Sequence, residues 1–106
     1  MSSYKWPEKD PDETADFSVD WSRFLGSDTI ASAVFFIEAA DGTKTQVSTA
    51  QIVNNLQFIA GTVSGNVATA RFGQGTNNVR YNITCRINTT QGLTYERTVI
   101  LPIRNR

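Results

Sequence analysis

The chain has 106 residues, 40% of them hydrophobic, with ten basic and ten acidic side chains, one cysteine and no histidine. That length supports a single domain around one core, and the lone Cys85 leaves no internal disulfide framework and no cysteine zinc site. A net charge of zero disfavours a nucleic-acid platform, no apolar run approaches the ~20 residues that span a bilayer, and the lack of histidine removes the commonest general base and metal ligand.

The first ten residues, MSSYKWPEKD, are polar and do not read as a secretory signal peptide. The chain therefore reads as made and used without export, and the sequons at Asn82 and Asn88 as chance matches in Thr-rich strands. Residues 1–15 combine Pro7 and Pro11 with a dense run of charges, a composition that resists both helix and sheet interior. They predict an extended N-terminal arm, with the folded domain over residues 16–106. Tyr4 and Trp6 are large aromatic anchors within this arm. They suit docking onto a partner or back onto the chain's own strands, and the sequence leaves both open.

From residue 16 the period becomes two: Phe17, Val19 and Trp21 alternate with Ser18 and Asp20, as in a half-buried strand. Gly26-Ser27-Asp28 is a turn, and the β-branched and aromatic run 29–38 is the best central strand. Asp41-Gly42 suits a tight hairpin into a short strand over 45–48. Ser48-Thr49-Ala50-Gln51 could start a helical turn, and Ile52, Val53, Leu56 and Phe58 fit either period. A strand is expected over 55–60, closed by Gly61 and the Ser64-Gly65-Asn66 turn, then another over 67–72 and an exposed loop over 73–78. Residues 79–88 and 94–103 form a long antiparallel hairpin, with Pro102 placing the last strand at an edge or leaving the sheet.

About seven strands with no clear helix predict an all-β fold, an immunoglobulin-like antiparallel β-sandwich, with a barrel as the alternative. Tyr81, four residues before Cys85, is similar to the tyrosine corner of such folds, although the usual spacing is two. Cys85 lies on the apolar phase of its strand and reads as a small core residue.

Chemistry is sparse. Asp10, Asp12, Glu13 and Asp16 are hard oxygen ligands at close spacing, but the glycine that calcium loops use is missing and Pro11 stiffens the run. Gly73-Gln74-Gly75 precedes no helix and no phosphate-binding lysine. No cofactor, no metal and no catalysis are expected. Charge is polarised along the chain. Residues 1–41 hold nine acids and three bases, a net −6, and residues 42–106 hold seven bases and one acid, a net +6. The halves can neutralise each other in one fold or meet between copies in a head-to-tail ring. Seven of the ten bases are arginine, and Arg71, Arg80, Arg86, Arg97 and Arg104 fall mostly on the polar phase of the last strands. They form either a solvated face with cross-strand pairing to Glu96 or a face for a partner. The candidate contact residues are Tyr4, Trp6, Pro7, Pro11, Arg80, Arg86 and Arg97.

The run Lys9-Asp10-Pro11-Asp12-Glu13, followed by Asp16-Phe17-Ser18-Val19-Asp20-Trp21-Ser22, Leu25 and Asp28-Thr29-Ile30, resembles the phage fiber-tail adaptor proteins of short-tailed phages. Tyr81–Thr84 and Thr98–Ile103 match the later strands of that pattern, and the longer stretch around Asn54–Gly65 departs from it. The resemblance implies an Ig-like virion subunit at the neck or tail, assembled in the host cytoplasm and present in several copies around a symmetric axis. It implies protein partners (portal, connector, tail or fiber subunits) and neither nucleic acid nor membrane. A capsid decoration protein is the first alternative. A receptor- or carbohydrate-binding module is the second, for which the strands offer few exposed aromatics, Tyr95 among them.

Overall fold

The computed structural model describes residues 4–38 and 42–105, with Tyr4 described through its backbone. The side chain of Tyr4 and the predicted turn residue Asp41 lie outside the described residues. Among those described, the chain forms strands β1 (Tyr4–Lys5), β2 (Ala15–Asp20), β3 (Ile30–Glu38), β4 (Lys44–Val47), β5 (Gln51–Val53), β6 (Leu56–Ser64), β7 (Val67–Gln74), β8 (Arg80–Thr89) and β9 (Thr94–Pro102), with one helical turn, α1 (Ser22–Leu25). They build two facing sheets, ordered β1-β9-β8-β3-β4 and β2-β7-β6-β5. Every strand pair is antiparallel except β1 on β9, which runs parallel. The sandwich expected from the sequence is the architecture found, with nine strands in place of about seven.

Alternation explains the core. Phe17 and Val19 of β2, Ala68, Ala70 and Phe72 of β7, and Ile83, Cys85 and Ile87 of β8 all point between the sheets and are nearly inaccessible. Aromatic rings run through this interior in sequence: Trp6 to Phe17 at 5.3 Å, Phe17 to Phe72 at 6.3 Å, Phe72 to Phe58 at 5.7 Å and Phe58 to Phe35 at 5.8 Å between centroids.

Two local expectations are corrected, and one stretch left open is resolved. Gly61 does not end its strand. β6 continues to Ser64 after a bulge between Phe58 and Ala60, and a side chain at Gly61 would come within 3.1 Å of the Phe58 ring and 3.3 Å of the Phe35 ring. The ambiguous stretch before it contains the short edge strand β5, paired to β6 through a two-residue turn at Asn54 and Asn55 with φ of 51° and 68°. Two consecutive positive φ values make this a hairpin turn that asparagine tolerates better than other side chains. Finally, Ser22–Leu25 forms a helical turn in a chain for which no clear helix was expected. Asp20 Oδ1 accepts the Ser22 N–H at 2.9 Å at its start, and Gly26 with φ 61° ends it.

The Tyr81 hydroxyl is buried and plays a corner role. It accepts from Thr76 N at 3.0 Å and donates to Asn54 O at 2.7 Å, tying the β5–β6 turn to the loop before β8.

Candidate protein-interaction surfaces

The N-terminal segment is built into the sandwich. Tyr4 and Lys5 lie opposite Val99 and Ile100, Trp6 N donates to Ile100 O at 2.9 Å, Lys9 N donates to Pro102 O at 3.0 Å, and Arg104 N donates to Lys9 O at 2.9 Å. Trp6 is 8% exposed, and its indole Nε1 donates to Ser18 O at 2.9 Å. It thus closes the gap between β9 of one sheet and β2 of the other. Of the two destinations open to the Trp6 anchor, this ring takes its own domain.

The Lys9–Glu13 run explains itself at the atomic level. Lys9 is 1% exposed, and its ammonium donates to Asp10 O at 2.9 Å and Gln74 O at 2.6 Å. Burial lowers its pKa from the usual lysine value, opposed by the nearby charges of Glu13, Asp10 and Asp12. The next four residues form a β-turn with Pro11 at its second position, where the ring's fixed φ is an advantage. Glu13 N donates to Asp10 O at 2.9 Å, Asp12 N to Asp10 Oδ1 at 2.8 Å, and Asp10 N to Glu13 Oε1 at 2.9 Å. Of the acids that could have been calcium ligands, Asp10 and Glu13 serve the turn through their carboxylates, and Asp16 pairs with Arg71. Among the described residues, no group of three or more acids or cysteines is placed to hold a metal ion.

The remaining predicted contact residues do not share one surface. Pro7 is exposed and Pro11 half-buried. Arg80 and Arg86 project from the outer face of the five-stranded sheet. Arg86 lies 4.6 Å from the Phe36 ring centroid and donates through Nε to Glu96 Oε2 at 2.6 Å. Arg97 belongs to the opposite phase. It is the register partner of Cys85, and its guanidinium caps the Trp21 ring at 4.6 Å. Arg71 sits on the other sheet, bidentate to Asp16 at 2.8 and 3.2 Å, and these bonds hold the Asp16 carboxyl below its usual pKa. The basic side chains are thus divided among both sheets and the core margin. Cys85 is buried, which pushes its thiol up to about 11.

One surface was missed in the sequence. Phe24 is 54% exposed on α1, edge-on to Tyr95 at 4.7 Å and to the buried Trp21 at 5.8 Å. A rigidly braced exposed aromatic is a favourable contact residue. The signal available was a phenylalanine three residues past the alternating run and two residues before the glycine that ends the helical turn. At the other end of the sandwich, where β8 begins and β9 ends, two shallow grooves of about 390 and 590 Å³ meet at Val79 and Arg80.

No curated protein matches the chain. A family model described as podophage GP4 fiber-tail adaptor protein gp77 matches residues 9–102, which runs from the buried lysine of the N-terminal turn to the last residue of β9. The chain belongs to this family of phage fiber-tail adaptors.

Proposed function

We propose that the chain is a structural subunit of a phage virion that links the tail to its fibers by protein–protein contact, without catalysis. The family match over residues 9–102 carries this reading. The fold suits it, because two sheets sealed by Trp6 and Lys9 make a rigid spacer with different chemistry at its two ends. One end presents Phe24 against Tyr95, and the other presents the polar grooves around Arg80. Tyr4, Pro7, Pro11, Arg86 and Arg97 are further contact residues in this proposal, with Trp6 acting by holding the segment that carries Tyr4 and Pro7. Several copies, assembled in the host cytoplasm, would ring the tail with portal, connector, tail or fiber proteins as neighbours.

Particles produced without this chain test the reading. They should keep their tails and lose their fibers, and infectivity should fall with fiber number. Tails that carry a normal complement of fibers without it would contradict the proposal.

A further inference from the structure

We infer that the paired grooves at the Arg80 end are a docking site for an extended, acidic segment of a partner protein; this rests on the adaptor reading and specifies one of its two contacts. The grooves are continuous through Val79 and Arg80. On one side lie Lys5, Arg104 and Glu8, with Glu8 already placed 3.6 Å from Arg104. Lys5 and Arg80 have no ion-pair partner among the described residues, and with Arg104 they set three cations against the carboxylates of Glu8 and Glu38, leaving the paired grooves with a net positive charge. On the other side, Asn54, Asn55 and Asn82 line the wall beside Glu38.

The mixture of groups selects among ligands. Glu8 and Glu38 flank the cations, so a continuous polyanion such as nucleic acid would meet a carboxylate on either side. A sugar would need an exposed ring to stack on, and the groove's aromatic, Tyr81, is 3% exposed. A peptide satisfies each feature. Its carboxylate pairs with the fork of Arg80 and with Lys5, its main chain finds asparagine amides, and an apolar neighbour rests on Val79, which is 36% exposed. The wall is held in place before any ligand arrives. Tyr81 fixes Asn54 O and Thr76 N, Asn55 Nδ2 donates to Thr76 Oγ1 at 3.3 Å, and Asn82 Nδ2 donates to Glu38 Oε2 at 3.1 Å.

The probe is a blocked peptide, Ac-Gly-Val-Asp-Glu-Val-Gly-NH2, titrated into the ¹⁵N-labelled chain. Its Asn/Gln counterpart and a 12-nucleotide single-stranded DNA are run in parallel. The acidic peptide should perturb the amides of residues 78–82 and bind about tenfold or more weakly to R80E, with R80A intermediate. Arg23→Glu, an exposed change at the opposite end, should leave binding unchanged. Equal affinity for wild type and R80E, no perturbation at residues 78–82, or tighter binding of the DNA there would overturn the inference. On particles, R80E subunits that sit on the tail with full fiber occupancy would overturn the groove as the docking site while leaving the adaptor reading intact. A wild-type chain absent from the tail would instead remove the adaptor reading.

Discussion

Replacing Trp6 with alanine is expected to lower the unfolding free energy by about 3–5 kcal/mol, the usual range for deleting a large buried aromatic. The side chain lies outside the main strand pattern, yet it is 8% exposed and stacks near both Phe17 and Phe72. Its removal would open the seam between β9 and β2 and leave Ser18 O without the indole donor. A domain of this size has on the order of 5–15 kcal/mol to lose, so the variant should be strongly destabilised at 25 °C. Trp6→Phe should fall between the two, keeping most of the apolar area and losing the N–H. Urea unfolding followed by circular dichroism reads this directly. A change below about 1 kcal/mol for Trp6→Ala would mean that the N-terminal segment is an appendage and not part of the core.

Lys9→Met should cost about 1–3 kcal/mol for each buried carbonyl that loses its donor, while the methionine stem refills much of the space. The two carbonyls belong to Asp10, in the turn, and Gln74, at the end of β7, so the Lys9 ammonium ties the turn to a strand end 65 residues further along the chain from Lys9. The loss should be local as well as global. Amide exchange at Trp6, Lys9 and Arg104, whose N–H groups pin this edge to β9 and to each other, should speed up more than exchange in β8. Uniform acceleration across the sandwich, or none, would contradict the role assigned to the lysine. This contact also gives a physical reason for a lysine at the head of the Lys9–Glu13 run.

Long alternating strands were the legible part of the fold. The pattern from Val79 to Asn88 and the hairpin after it appear in the structure as β8 and β9, with Arg86 opposite Glu96. Short elements were not legible, because three residues such as Gln51–Val53 cannot display a period of two. The turn at Asn54 and Asn55 carried a signal of its own, since paired asparagines suit positive φ. Gly61 misled because a glycine inside a strand and a glycine ending one look alike until the rings of Phe35 and Phe58 are in place.

The contact residues were less legible than the fold. Arg97 shares its parity in β9 with Tyr95 and Val99, so its inward phase followed from counting along that strand, while its stacking on Trp21 depended on how the sheets face each other. Trp6 could not be assigned from composition, because an anchor for a partner and an anchor for the chain's own core have the same side chain. Phe24 was hidden for the opposite reason. It sits in a four-residue helical turn that ends an otherwise regular strand pattern, and only its packing on Tyr95 marks it as surface.

The most direct test of the central claim is to locate the chain on the intact particle by cryo-electron microscopy of virions carrying a gold-labelled C-terminal tag. The adaptor account predicts density in a symmetric set of copies where fibers meet the tail, with one end of each sandwich against the tail and the other toward a fiber. Label spread over the capsid shell, or no label on the virion, would contradict it.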